Sequence, residues 1–201
     1  MASIYDIKPK FQALLRPTTN GLAKLKVTAN HVTVAALLVS FAVGAVIYHW
    51  REQAEILLLM PVVLFVRMAL NAIDGMLARE HNMKSNLGAM LNEIGDVFSD
   101  SALYLPLAVV TGFPPELMIP VAVLAIITEM AGVLAVQIGA TRRYDGPMGK
   151  SDRAVVFGAI GFAMGLGAKP GVWLDVVLGV VVVLLVLTIV NRSRKALREV
   201  R

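Results

Sequence analysis

The sequence predicts an all-α integral membrane protein: six transmembrane helices behind an N-terminal amphipathic interfacial helix, both termini cytoplasmic. Three observations predict it. Of the 201 residues, 57% are hydrophobic, with a mean hydropathy of +0.72, against roughly 45–50% apolar in soluble domains. The apolar residues gather into six runs, most of them near the ~20 residues a helix needs to cross a bilayer. The cations gather into every second loop between those runs, the asymmetry that orients membrane helices.

The elements follow in order. Residues 3–26 (SIYDIKPKFQALLRPTTNGLAKLK) interleave Ile4, Ile7, Phe11, Leu14, Leu15, Leu22 and Leu25 with cations, as a helix lying on the cytoplasmic membrane surface would. A basic tail is the alternative. This stretch has no continuous apolar core, so no cleavable signal peptide is expected and the first span is expected to act as the insertion signal. The spans run over 31–50, 54–79, 87–111, 116–141, 153–168 and 172–191. The fifth is short and rich in glycine (GAIGFAMGLG). Basic residues mark the N-terminus (Lys8, Lys10, Arg16, Lys24, Lys26) and the loop after span two (Arg79, Lys84). They also mark the loop after span four (Arg142, Arg143, Lys150, Arg153) and the C-terminus (Arg192, Arg194, Lys195, Arg198, Arg201). The other three loops hold only Arg51 and Lys169. The chain therefore reads as one domain over 1–201, an interfacial segment at 1–27 and a six-helix bundle at 28–201. The net charge of +5 belongs to membrane flanks, and no nucleic-acid partner is expected. The absence of cysteine excludes disulfides, thiolate metal sites and a Cys nucleophile.

Charged groups inside spans are expensive and mark function or internal pairing. Span two carries Arg67, Asn71 and Asp74, spaced four and three apart and so on one face. Span three carries Asn92, Asp96 and Asp100 at steps of four, with Glu93 about 100° around. Span four carries Glu129 and Gln137. Two polar faces joined by a short cytoplasmic loop can meet, and facing carboxylates need a proton or a cation between them. Oxygen donors favour Mg²⁺, Mn²⁺ or Ca²⁺ over zinc. Arg67, Asp100 and Glu129 lie about a turn deeper and read equally well as a self-neutralising structural network.

The string NAIDGMLAREHNMKSNLGAMLNEIGD at 71–96 resembles the signature of the CDP-alcohol phosphotransferases, Asp-x2-Asp-Gly-x2-Ala-Arg followed, after about eight residues, by Gly-x3-Asp-x3-Asp. Asp74, Gly75, Ala78, Arg79, Gly88 and Asp96 match it, and eight residues separate Arg79 from Gly88. TANHVT at 28–33 and GKSDR at 149–153 are similar to two further stretches of that family, so the likeness covers nearly the whole chain. Two positions depart from it: Asn71 and Asn92 stand where the family has Asp. Each keeps an oxygen ligand and drops a negative charge.

The resemblance implies metal-dependent transfer of a phosphoryl-alcohol group, expected to be phosphatidyl, from a CDP-alcohol such as CDP-diacylglycerol to a hydroxyl acceptor. CMP is released, and the setting is phospholipid biosynthesis. It implies Asp74, Asp96, Asn71 and Asn92 around one or two Mg²⁺ or Mn²⁺ ions, and Asp96 as the general base. Asp74, Gly75, Ala78, Arg79, Gly88, Asn30 and Thr33 would line the CDP site. Gly75 and Ala78 can equally serve helix packing, and Asn30 and Thr33 can equally cap a helix. Arg142, Arg143, Lys150 and Arg153 are the candidate acceptor site, or else set topology and attract anionic lipid. A homodimer in contact with membrane lipids, in the bacterial inner membrane with its site facing the cytoplasm, completes the expectation. The competing reading is a degenerate relative that binds nucleotide-lipid or lipid without turnover. A transporter fits worst, since no repeat is visible and the acidic motif lies at the span ends.

Overall fold

The computed structural model describes residues 4–201, with side chains from residue 9 onward. The side chains of Ile4, Ile7 and Lys8 lie outside the described residues. Among the described residues there are seven α-helices and no strand: α1 (Ile4–Lys24), α2 (Ala29–His49), α3 (Leu59–Glu80), α4 (Asn86–Tyr104), α5 (Pro115–Gln137), α6 (Lys150–Gly165) and α7 (Val172–Glu199). Short 3₁₀ turns at Ala54–Leu58 and Leu105–Val109 lead into α3 and out of α4.

Helix α1 packs along α3. Phe11 meets Phe65 edge-on, with centroids 6.1 Å apart. Leu15, Leu22 and Ala23 cover Ala29, Val32, Ile73 and Leu77, and Arg16 pairs with Glu80 at 2.9 Å. Leu14 and Leu25 point outward, leaving an apolar edge beside the cations. Thr28 caps α2: its hydroxyl accepts from the His31 N–H, and the His31 ring accepts from the Thr28 N–H. Ser85 caps α4 by accepting from the Gly88 N–H at 3.0 Å.

Tight crossings depend on glycine. A Cβ on Gly44 would lie 2.0 Å from the Ala102 carbonyl oxygen, so α2 and α4 meet backbone to backbone there. On α6, a Cβ on Gly161 would lie 2.6 Å from Met60 Cβ, and one on Gly165 2.7 Å from Leu58 Cγ. The glycine-rich run is thus the face that lets α6 approach α3 and its entry turn. The main core gathers Ile47, Leu57, Met60, Leu103, Tyr104 and Phe157, all essentially fully buried, with the Tyr104 and Phe157 rings 4.6 Å apart.

Several element ends differ from the sequence reading: α2 starts at Ala29, not 31, α4 ends at Tyr104, not 111, and α6 ends at Gly165, not 168, and three further differences have a local reason. Helix α5 stops at Gln137, not 141, because Gly139 turns the chain at φ +86°. Helix α6 starts at Lys150, not 153, because Asp152 accepts the Gly149 N–H at 2.9 Å. Helix α7 runs on to Glu199, since its buried stripe continues through Thr188, Arg192 and Ala196.

Among the described residues, four helices are long and apolar enough to cross a membrane: Ala29–His49, Ala54–Glu80 (with its entry turn), Pro115–Gln137 and Val172–Glu199. Leu38, Phe41, Val62, Phe65, Phe98 and Val183 are among many large apolar side chains facing outward. Such a surface suits lipid as the solvent.

Candidate active site

The site lies where the C-terminal half of α3 meets the N-terminal half of α4 and the first turns of α2 and α6. On α3, Arg67, Asn71 and Asp74 share one face, and on α4 Asn92, Asp96 and Asp100 share another. Asp74 is buried and accepts a hydrogen bond from the Thr33 hydroxyl of α2 at 2.9 Å. Asp96 is engaged on both oxygens. The Asn71 side-chain NH₂ donates to Oδ1 at 3.2 Å, and the Lys150 ammonium donates to Oδ2 at 2.5 Å. Arg67 Nη2 stands 4.0 Å from Asp96 Oδ1.

The small residues of the motif serve close approach. A Cβ on Gly75 would come within 2.9 Å of Arg79 Nη2, so the guanidinium folds back over that glycine. A Cβ on Gly88 would come within 2.7 Å of Asn30 Oδ1. Asn30 therefore faces the start of α4, one turn from Thr33. Ala78 packs instead against the cluster of Ile73 and Leu77. Asn92 is half-buried.

Below this layer runs a buried ion network. Arg67 Nη1 donates to Asp100 Oδ1 at 2.8 Å. Arg153, with no exposed surface, donates to Asp100 Oδ2 at 2.7 Å and to Glu129 Oε1 at 3.1 Å. It also reaches the Thr128 hydroxyl and the Met148 carbonyl, both at 3.2 Å. Arg142 bridges Glu93 at 2.6 Å and Glu129 at 2.9 Å. Burial disfavours the Arg142 charge, but Glu93 and Glu129 more than offset that, and its pKa lies above the ordinary guanidinium value. Arg192 is buried against Glu129 at 3.4 Å and donates to the Thr128 and Asp145 carbonyls.

The structure thus brings Asn30, Thr33, Asn71, Asp74, Gly75, Arg79, Gly88 and Asp96 into one region, and Arg67, Asp100 and Glu129 into the network beneath. It divides the four basic residues grouped as an acceptor site. Lys150 sits on Asp96, Arg153 and Arg142 belong to the network, and Arg143 pairs with Glu199 and Asp145. Arg153 cannot offer its guanidinium to a ligand from a fully buried position already holding four partners. Arg192 escaped the sequence reading because it sat in a run of terminal cations. The apolar stripe Leu174, Leu178, Val181, Leu185, Thr188 leads straight to it and was the available signal.

The donor set limits what cation the site can take. Among the described residues no group of three or more His, Cys, Asp or Glu is arranged to hold a metal ion. Two carboxylates, Asp74 and Asp96, are within the number that a hard cation keeping several waters uses together with substrate phosphate, while Asn71 turns its NH₂ to Asp96.

Comparison with known proteins agrees with this architecture. The family model for CDP-alcohol phosphatidyltransferase matches residues 26–195. The chain is 47% identical over 195 residues to the inner membrane protein YnbA of Escherichia coli, covering 97% of this chain and 96% of that one. It is 30% identical over 102 residues to the archaetidylinositol phosphate synthase of Pyrococcus horikoshii, about half of each chain (51% and 52%). The fold is similar to that of the phosphatidylinositol phosphate synthase of Mycobacterium tuberculosis solved with CDP-DAG bound. The TM-score is 0.71 at 21% identity, covering 90% of this chain and 92% of that one. The same enzyme in complex with manganese and citrate gives 0.71 at 22% identity, covering 90% and 88%. Four apolar helices and an inner-membrane relative make this an integral membrane protein. With the family model spanning most of its length, the chain belongs to the CDP-alcohol phosphatidyltransferase family, whose members transfer substituted phosphate groups.

Proposed function

We propose that this protein transfers the phosphatidyl group of CDP-diacylglycerol to a hydroxyl acceptor, releasing CMP, in phospholipid synthesis at the cytoplasmic face of the bacterial inner membrane. The observation that carries the reading is the convergence of Asp74 and Asp96 from facing helices, with Thr33 and Lys150 fixing one oxygen of each. All six helices α2–α7 are read as spans, α1 as the interfacial helix of a single domain, and the protein as a homodimer. Placing the site at the cytoplasmic helix ends, beside the lipid, lets the acyl chains stay in the bilayer while the nucleotide meets water. The solved relatives with CDP-DAG and with manganese support the donor class and a divalent ion.

In this reading Asn30, Gly75, Arg79 and Gly88 form the CDP pocket. The two glycines leave room for the nucleotide to approach the backbone, and Arg79 swings from Gly75 onto a phosphate. A divalent ion, Mg²⁺ or Mn²⁺, held by Asp74 and the carbonyl oxygens of Asn71 and Asn92, would supply neutralisation of the pyrophosphate. Asp96 takes the proton of the acceptor hydroxyl as that oxygen attacks the phosphorus bearing the diacylglycerol. The bond from that phosphorus to the bridging oxygen breaks, and CMP leaves with the bonding electrons. Lys150, partly exposed beside Asp96, is the basic residue best placed to meet an acceptor that carries its own phosphate.

The test is CMP release by the purified full chain in detergent, with CDP-diacylglycerol, Mg²⁺ or Mn²⁺, and a panel of hydroxyl acceptors. Asp74→Ala and Asp96→Ala should each abolish turnover; full activity in both would refute the site. One observation favours a second reading, binding without turnover: both oxygens of Asp96 are already occupied. CDP-diacylglycerol binding with no CMP release across the panel would establish that reading instead.

A further inference from the structure

We propose that Lys150, backed by Arg67, takes the electrostatic place of a second divalent cation, so that the site is built for a single ion. The inference rests on the reading above, that the site handles a CDP-alcohol. Three observations carry it.

The first is position. Lys150 Nζ lies 2.5 Å from Asp96 Oδ2, and Arg67 Nη2 lies 4.0 Å from Asp96 Oδ1. The carboxylate is held between two cations of the chain itself. The second is an unspent donor. Arg67 is 4% exposed, and its Nε and Nη2 have no hydrogen-bond partner, although Nη1 is committed to Asp100. A buried guanidinium left short of acceptors on the side facing Asp96 adds positive potential at that carboxylate.

The third is charge balance. In the network and the site together, Arg67, Arg142, Arg153, Arg192 and Lys150 pair with Glu93, Asp96, Asp100 and Glu129, while Asp74 is held by the Thr33 hydroxyl and Arg79 lies folded over Gly75. Counting Asp74, the carboxylates number five against these five cations, and Arg79 adds one positive charge for a phosphate. One divalent ion together with Arg79 then supplies three positive charges, already enough for the two negative charges of a CDP-alcohol pyrophosphate. A second ion would overshoot, and the residues that would have compensated it are Asn71 and Asn92. Losing two carboxylates and losing one divalent ion are changes of equal size and opposite sign, so the two together leave the charge of the site as it was.

The experiment counts ions. Full-length protein in detergent is titrated with Mn²⁺, free ion being read by electron paramagnetic resonance, with and without CDP-diacylglycerol. The wild type should bind one Mn²⁺ per chain. N71D/N92D should add a second, weak site. Adding K150M to that pair should tighten the second site by at least about tenfold, because a fixed positive charge a few ångströms from the ion is removed. Lys150 is partly exposed and Arg67 anchors Asp100, so the Lys150 variant carries the test, with a melting curve to verify folding. Two ions or none on the wild type overturns the inference, as does a second-site affinity indifferent to K150M. CMP release measured on the same samples separates the two claims. Turnover with two ions keeps the transferase and discards the substitution; one ion with the Lys150 effect but no CMP does the reverse.

Discussion

Arg153 is the residue whose replacement should tell most about how the bundle is held together. Arg153→Met keeps the length of the side chain and deletes its charge. The guanidinium is fully buried and makes hydrogen bonds to Asp100, Glu129, Thr128 and the Met148 carbonyl. After the change Asp100 keeps only Arg67, while Glu129 keeps Arg142 and Arg192. Removing one partner of a buried ion pair destabilises by about 3–5 kcal/mol, because the remaining charge stays desolvated. At about 2–4 °C of melting shift per kcal/mol for a chain of this size, the midpoint in detergent should fall by roughly 6–20 °C. Arg153→Met/Asp100→Asn should recover part of the loss, since the network then loses one charge of each sign and stays balanced. The assay is thermal unfolding followed by far-ultraviolet circular dichroism. A melting point for Arg153→Met within about 2 °C of wild type would show that the network is not a structural floor, and would return Arg153 to the acceptor site.

Three further outcomes are expected. Gly161→Leu should lower the melting point by the equivalent of about 1–3 kcal/mol or more, since a Cβ there would meet Met60 and the Leu57 carbonyl at 2.6 and 2.8 Å; Gly179→Ala, with nothing within 4 Å, is the silent control. Thr33→Val removes the hydroxyl that holds Asp74 and should weaken divalent-ion or CDP-alcohol binding about tenfold, the effect of roughly 1.4 kcal/mol for a hydrogen bond to a charged group, with little change in melting. Chelation with EDTA should abolish CMP release, and Mg²⁺ or Mn²⁺ added back should restore it; turnover that survives chelation would exclude ion-assisted transfer.

The sequence made the helices and the motif legible because both follow local rules. Apolar run length places a helix, and the fixed spacing of Asp74, Gly75, Ala78 and Arg79 survives in any register. The meeting of Asn71 with Asp96, and of Thr33 with Asp74, was readable only as a shared region, since side-chain contacts between helices depend on crossing angles that no single segment encodes. The basic loop was the least legible part. A run such as GKSDR tells that cations are present but not which one turns inward. Lys150 opens α6 and reaches across to α4, whereas Arg153, less than one turn on, points into the core. The difference is set by the Asp152 cap on Gly149, which fixes where the helix starts and hence the face each cation takes.

The glycines of α6 and the cations of α6 belong to one device. Gly158, Gly161 and Gly165 lie against Pro61, Met60 and Leu58, so α6 rests its bare backbone on the side chains of α3 and its entry turn. That contact is in the apolar half of the helix, and its consequence appears at the other end. With α6 drawn onto α3, the first turn of α6 hangs over the polar face that α3 shares with α4, and Lys150 and Arg153 reach Asp96 and Asp100. A bulkier α6 would tilt or lift away and carry both cations with it. Asp96 would then lose its ammonium and Asp100 half of its pairing, while Arg67 alone faced two carboxylates. The short, glycine-rich helix, which taken by itself is the weakest of the expected spans, is therefore the element that brings the fixed positive charge to the site.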